Sequence, residues 1–150
     1  MRNGQFMRFI DTGIQIRAPC SRVWSILIDF GSYPEWNPFI TRIAGRPEAG
    51  ARLTVRIAPP GQRAMIFRPY VLAASPGREL RLFGRLLIPR LFDGEHAFEL
   101  ADDADGCRFR QTEKFTGLLV TRMPNKLFEA TEQGFTVMNE ALKRRAETMA

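Results

Sequence analysis

The sequence predicts an α+β domain in which a curved, seven-stranded antiparallel sheet wraps a long C-terminal helix, with two short helices between the first and second strands. Three observations lead there. Apolar residues recur at helical spacing from about Pro124 to Met149, short apolar-alternating runs fill most of the chain before it, and turn-forming clusters separate those runs at hairpin intervals. The length agrees with a single domain over residues 1–150, because a chain of this size buries about two-thirds of its unfolded surface around one core.

The first strand spans Phe9 to Arg17, where Thr12, Ile14 and Ile16 alternate with Asp11, Gly13, Gln15 and Arg17. Pro19 ends it. Val23, Trp24, Leu27 and Phe30 then fall at helical spacing, so a short helix begins between Pro19 and Ser21, with Ser21 or Ala18 as cap, and stops at Asp29 and Gly31. SYPEWNPF places two prolines around Trp36 and leaves room for one helical turn between Ser32 and Trp36. Strands follow over Phe39 to Ala44, Leu53 to Ile57, Met65 to Val71, Leu80 to Gly84, Phe92 to Leu100 and Cys107 to Phe115. The turns GRPEAG, PPGQ, SPGR and DDADG punctuate them.

Short connections make this an antiparallel meander, and seven strands can be covered by one helix only if the sheet curls strongly. LLIPRLFDGE is the least regular connection, with Leu86, Leu87, Ile88, Leu91 and Phe92 forming either a bulged strand edge or the rim of a hollow. In the C-terminal helix, Leu127, Phe128, Thr131, Phe135, Met138, Leu142 and Met149 share one face. Glu129, Glu132, Thr136, Glu140, Lys143, Arg144 and Glu147 lie opposite. Gly134, Ala130 and Ala141 run along one flank, where small side chains let a neighbour approach closely.

Charge and cysteine usage narrow the function classes. A formal charge of +6 brings nucleic acid or an anionic membrane into consideration. The arginines are spread from Arg2 to Arg145 with acidic residues between them. They therefore read as a solvated surface, and no nucleic-acid partner is expected. Cys20 and Cys107 stand far apart, with no C-x-x-C and one histidine in the chain, which reads as two thiols in a reducing compartment rather than a disulfide framework or a zinc site. No segment approaches a membrane span, and the first ten residues lack a signal-peptide core. The expected location is the cytoplasm, without stable membrane insertion. With no G-x-G-x-x-G, Walker or G-x-S-x-G motif and no His and carboxylate cluster at metal spacing, no metal or other cofactor is expected. An exposed edge strand could support a homodimer, although no motif compels one.

Several motifs carry a resemblance. V-W-x-x-L-x-D-F runs from Val23 to Phe30, Y-P-E-W-N-P-F from Tyr33 to Phe39, G-E-H-x-F-E-L from Gly94 to Leu100, E-K-F-x-G-L-L from Glu113 to Leu119, and G-F-x-x-M-N-x-A-L-K from Gly134 to Lys143. With the order of elements, these resemble the START-like or Bet v 1-like helix-grip superfamily (SRPBCC), and most of all its bacterial polyketide cyclase/dehydrase-like branch. The resemblance covers nearly the whole chain. It implies a sheet gripping the helix around a ligand cavity that opens near the short helices and hairpin loops. Its motifs specify the fold more than the function, since the superfamily includes lipid and hormone binders, quinone-binding proteins, chaperone activators and aromatase/cyclases.

Strand phase selects the candidate site. His96, Phe98 and Leu100 share a face, as do Phe109, Gln111, Glu113 and Phe115 on the next strand; their apolar members mark both faces as inward. Pairing Leu100 with Cys107 or Phe109 across DDADG sets His96 opposite or diagonal to Glu113. The pair reads either as a general acid/base dyad or as buried polar groups that satisfy each other, with Gln111 or water completing them. Glu95 should point outward, and Arg68, Tyr70 and Arg81 lie at the phase opposite to Phe67 and Leu80. Trp36 and Phe39 form either an aromatic lip over a ligand or a staple holding the short helix. Phe67, Leu82, Phe92, Phe98, Phe115, Phe128, Thr131, Phe135 and Met138 complete the candidate lining.

The expected function is the binding of a hydrophobic small molecule, such as a lipid, polyketide, quinone or aromatic metabolite, with His96, Gln111 and Glu113 supplying polar contacts. Two alternatives stand beside it: a cyclase, aromatase or dehydratase using His96 and Glu113, and a protein- or membrane-interaction module. The absence of a clustered basic run counts against the last.

Overall fold

The computed structural model describes residues 7–85 and 92–148. Strand β1 (Met7–Ile16) leads into α1 (Cys20–Ile28), a 3-10 turn at Phe30–Ser32 and the single-turn helix α2 (Tyr33–Trp36). Neither Ser21 nor Ala18 caps α1. The N-cap position belongs to Pro19, which has no side chain to offer; its carbonyl accepts hydrogen bonds from the Arg22 and Val23 amides at 3.0 and 3.2 Å. The fully buried Tyr33 closes the other end of α1 by donating its hydroxyl to the Leu27 carbonyl at 2.7 Å. Burial, with Asp29 adding to it, pushes the phenol well above its ordinary range, so it remains a donor.

Seven further strands follow: β2 (Ile40–Ala44), β3 (Thr54–Ile57), β4 (Met65–Phe67), β5 (Tyr70–Ser75), β6 (Glu79–Arg85), β7 (Asp93–Asp103) and β8 (Gly106–Thr116). The single seven-stranded sheet is therefore corrected to eight strands in two antiparallel sheets. One has the order β1-β8-β7-β6-β5 and the other β2-β3-β4. The difference arises at Arg68 and Pro69, where the run expected from Met65 to Val71 divides. Proline cannot donate to a ladder, and the Pro69 carbonyl instead accepts from the Leu53 amide at 2.8 Å. Gly50, Ala51 and Val71 exchange backbone bonds across the same seam, and an isolated bridge pairs Arg52 with Tyr70. The two sheets thus meet edge to edge through the lead-in to β3. Leu86, Leu87, Ile88 and Leu91 lie outside the described residues, as does Met149.

Helix α3 (Asn125–Thr148) packs against β1 and β8 and touches α1 and α2. Its helical spacing buries Thr131, Phe135, Met138, Leu142 and Ala146 along one stripe. Gly134 occurs where the Phe39 ring lies against the helix, so that a Cβ there would overlap the ring. Among the described residues, no helix is long and apolar enough to cross a membrane.

The structure also sorts the charges. On the outer face of the large sheet Arg81 pairs with Glu79, Glu95 and Glu99, and Arg110 with Asp11 and Glu99. The Arg110 guanidinium holds the Asp11 carboxyl below its usual range. Arg42, Arg46, Arg52, Arg56, Arg63 and Arg68, on and around the small sheet, are all exposed. Among the described residues none of them makes an ion pair. Glu48 is the one acidic residue between Glu35 and Glu79, so this stretch is basic in the sequence as well.

Cys20 and Cys107 are bonded as a disulfide rather than carried as two thiols, with Cα atoms 4.9 Å apart and 87 residues between them in sequence. The cause is register: Ile16 pairs with Cys107 in the β1–β8 ladder, and α1 starts four residues after Ile16. Gly106, at φ +137°, allows this approach, since a Cβ there would come within 2.9 Å of the Ala18 amide. The inference of a reducing compartment loses its basis in free thiols. Closing so long a loop restricts the unfolded chain strongly. Reduction, or Cys107→Ala, is expected to lower the unfolding free energy by about 4 kcal/mol, measured as a shift of the urea midpoint with and without reductant. Coincident midpoints would show that the bond contributes nothing.

Candidate functional site

The β7–β8 register pairs Leu100 with Phe109, Phe98 with Gln111 and His96 with Glu113. Alternation then turns Phe98, Gln111, Glu113 and Phe115 into the interior and leaves Glu95 outside, against Arg81. His96 Nδ1 lies 2.7 Å from Glu113 Oε1, and its Nε2 lies 2.9 Å from Gln111 Oε1. The Phe98 and Phe135 ring centroids lie 4.8 and 4.9 Å from that of the imidazole.

The polar contacts continue into the helix. Gln111 Nε2 donates to Asn139 Oδ1 at 2.7 Å and faces the Phe135 carbonyl at 3.5 Å. Asn139 Nδ2 donates to Thr12 Oγ1 at 2.9 Å, and the Thr12 hydroxyl donates to the Gln111 carbonyl at 2.8 Å. Five side chains from β1, β7, β8 and α3 thereby form one buried or half-buried chain. Gln111, with no exposed surface, is satisfied only within it.

One end of this chain reaches a cavity of about 250 Å³ between the two sheets and α3. Ile40, Val55, Ile57, Met65 and Phe67 line it from the small sheet, and Leu82, Gly84, Gly94 and Phe115 from the large one. Leu127, Thr131 and Phe135 close it from the helix, with Phe39, Pro69, Phe92 and Met123 at connections. Among the described residues, the polar side chains on its wall are those of His96, Glu113 and Thr131. Thr131 Oγ1 gives its hydrogen to the Leu127 carbonyl at 2.8 Å. Among the described residues, no group of three or more His, Cys, Asp or Glu is arranged to hold a metal ion.

Of the residues selected from the sequence, Phe39, Phe67, Leu82, Phe92, His96, Glu113, Phe115, Thr131 and Phe135 are on the wall. The other five are not. Phe98 and Met138 are fully buried in the core, and Gln111 stands behind His96. Phe128 sits between Phe115 and the Arg8 guanidinium. Trp36 packs on Tyr33 of the same helix with its ring centroid 5.1 Å away. Sequence reasoning missed Asn139, although it lies four residues beyond Phe135 and three before Leu142, on the buried stripe. It also missed Ile40, Val55, Ile57 and Met65, whose inward phase was readable but whose role as wall depended on the small sheet facing the helix.

The family model described as polyketide cyclase / dehydrase and lipid transport matches residues 7–147. The chain belongs to that family. No sequence among the curated proteins matches. Solved structures with this fold include the Zhui aromatase/cyclase from a Streptomyces species, at 17% identity and TM-score 0.70 over 94% of each chain. A START superfamily protein from Mycobacterium smegmatis matches at 17% identity and TM-score 0.71, covering 95% of this chain and 99% of its own. The di-domain ARO/CYC StfQ of the steffimycin biosynthetic pathway matches at 12% identity and TM-score 0.76, covering 97% of this chain but 52% of its own. This chain therefore spans about half of StfQ. At such identities the likeness is one of fold, and the family's α+β grip of sheet on C-terminal helix is the architecture described above.

Two substitutions test how the site is held. Gln111→Leu leaves His96 Nε2 and Asn139 Oδ1 without their partner, and should cost about 1–3 kcal/mol of stability by chemical denaturation; an unchanged midpoint would mean the chain is not structural. Gly134→Ala should gain about 1 kcal/mol of helix propensity yet lower the net stability by about 1–3 kcal/mol through overlap with Phe39. Adding Phe39→Leu should recover that loss, and a double mutant no better than the single would sink the explanation.

Proposed function

We propose that the protein binds a mostly apolar small molecule, such as a lipid, polyketide, quinone or aromatic metabolite, in the cavity between its sheets and α3. The observation carrying this reading is the cavity wall, which among the described residues is apolar except where His96, Glu113 and Thr131 meet it. Affinity then comes from apolar ligand area removed from water, at roughly 25 cal/mol per Å², and a few fixed polar atoms set orientation. The family description, which includes lipid transport, supports the same class of ligand.

A second reading is an enzyme of the cyclase, aromatase or dehydratase type. The 2.7 Å contact of His96 with Glu113 at the cavity end favours it, as do the aromatase/cyclases among proteins of this fold. Both imidazole nitrogens are engaged, so Glu113 would be the group meeting the substrate and His96 would position it.

A thermal-shift panel of hydrophobic metabolites tests the first reading. At a hundredfold excess over its dissociation constant, a true ligand should contribute about 2.7 kcal/mol and raise the melting temperature by roughly 5 °C or more. A panel in which no compound moves the transition would defeat it. Turnover that disappears in Glu113→Gln while binding survives would establish the second reading.

A further inference from the structure

We infer that the polar end of the cavity recognises a hydrogen-bond donor, so that the ligand is an uncharged apolar molecule bearing a hydroxyl group, a phenol or alcohol, and carboxylates are refused. This rests on the proposed binding function and specifies the chemistry of its ligand. Each bridging hydrogen along the buried chain has one available acceptor. The Thr12 hydroxyl has one hydrogen and gives it to the Gln111 carbonyl, so its oxygen accepts from the Asn139 amide nitrogen. Asn139 therefore presents its oxygen to Gln111 Nε2, which also faces the Phe135 carbonyl. Gln111 is left with only its oxygen toward His96, and His96 Nε2 must carry a hydrogen to meet it at 2.9 Å.

One hydrogen then lies between His96 Nδ1 and Glu113 Oε1, 2.7 Å apart. If the imidazole holds it, Glu113 is a carboxylate and its second oxygen, Oε2, is an acceptor. If Glu113 Oε1 holds it, Oε2 is the carbonyl oxygen of a carboxylic acid and is still an acceptor. Either placement gives the cavity the same face. Thr131 adds another acceptor, since its only hydrogen is committed to the Leu127 carbonyl. With both imidazole nitrogens occupied, the polar side chains of the wall retain acceptors and no free donor among the described residues. Glu113 and Thr131 are both buried, so an acceptor brought against them would face repulsion that little solvent screens.

The consequence is a selectivity that an apolar cavity alone would not produce. A ligand hydroxyl directed at Glu113 Oε2 makes a hydrogen bond that an ether or ester of the same shape cannot. A ligand carboxylate adds the cost of burying its own charge beside an acceptor. His96 acts here as a positioning residue, holding the Glu113 side chain rather than meeting the ligand.

The test uses three ligands sharing one bicyclic ring, 2-naphthol, 2-methoxynaphthalene and 2-naphthoate, titrated by calorimetry into the full-length protein. The expected order is naphthol tighter than the methyl ether by at least about tenfold, with naphthoate weakest. In Glu113→Gln the amide NH2 is drawn to the His96 Nδ1, which is bare once Nε2 carries the imidazole hydrogen, and the amide oxygen faces the cavity, so the preference for naphthol over the ether should be kept; an inverted preference in this variant would overturn the donor rule. In nitrogen-detected NMR of the unliganded protein, His96 Nε2 should carry a bonded hydrogen whatever happens to the variant. Equal affinity for naphthol and its ether would overturn the donor rule while leaving the cavity reading intact, as would a bare Nε2. Failure of all three compounds to bind would overturn both.

Discussion

The burial of Gln111 is the constraint from which the interior follows. A primary amide with no access to water must find partners for its oxygen and its NH2 group inside the fold, because leaving either unmet costs more than a single bond returns. His96 supplies one partner and Asn139 the other. Since Asn139 also reaches Thr12 on β1, the rotation of α3 about its axis is set relative to two strands at once. With that rotation fixed, steps of about 100° per residue carry Leu127, Thr131 and Phe135 to the cavity. They carry Met138, Leu142 and Ala146 into solid core. One helical stripe thus does two things along its length, hollow toward its start and packed toward its end.

The two sheets play unequal parts. The large sheet has long ladders between β1, β8 and β7, a disulfide from β8 to α1, and ion pairs across its outer face. These make it the fixed side against which the His96 and Glu113 geometry is held. The small sheet has strands of three to five residues and meets its neighbour through one isolated bridge and a few backbone bonds. It nevertheless contributes Ile40, Val55, Ile57, Met65 and Phe67 to the cavity. Fewer backbone hydrogen bonds anchor this wall than the opposite one.

How much of this the sequence disclosed depends on whether the controlling interaction is local. The span of α3 and the opposition of His96 to Glu113 were legible, because helical spacing and the register across a short hairpin are set by neighbouring residues. The division at Pro69 was half visible. Proline announces a ladder interruption, but not that the chain changes sheets there. The Cys20–Cys107 bond was illegible, since it depends on β1 pairing with β8 nearly a hundred positions away, a contact no local period encodes. Asn139 was overlooked because a polar residue on an apolar stripe reads as an interruption until its partner is known. The arginines on and around the small sheet were legible and overlooked, since Glu48 is the one acidic residue between Glu35 and Glu79.

The binding and enzymatic readings differ less in geometry than in what they require of Glu113. Each relies on an oxygen fixed at the end of an apolar cavity, with its partner immobilised between Phe98 and Phe135. For binding, that oxygen needs only to accept a hydrogen bond and to stay where it is. For proton transfer it must also change its protonation state while the substrate is bound, and the imidazole beside it must tolerate the change. His96 cannot relay a proton outward through Nε2 without turning Gln111, and Gln111 cannot turn without breaking its bond to Asn139 and the link from there to Thr12. The chain that holds the site in place therefore opposes a proton shuttle through Nε2, and an enzymatic reading would confine proton transfer to Glu113.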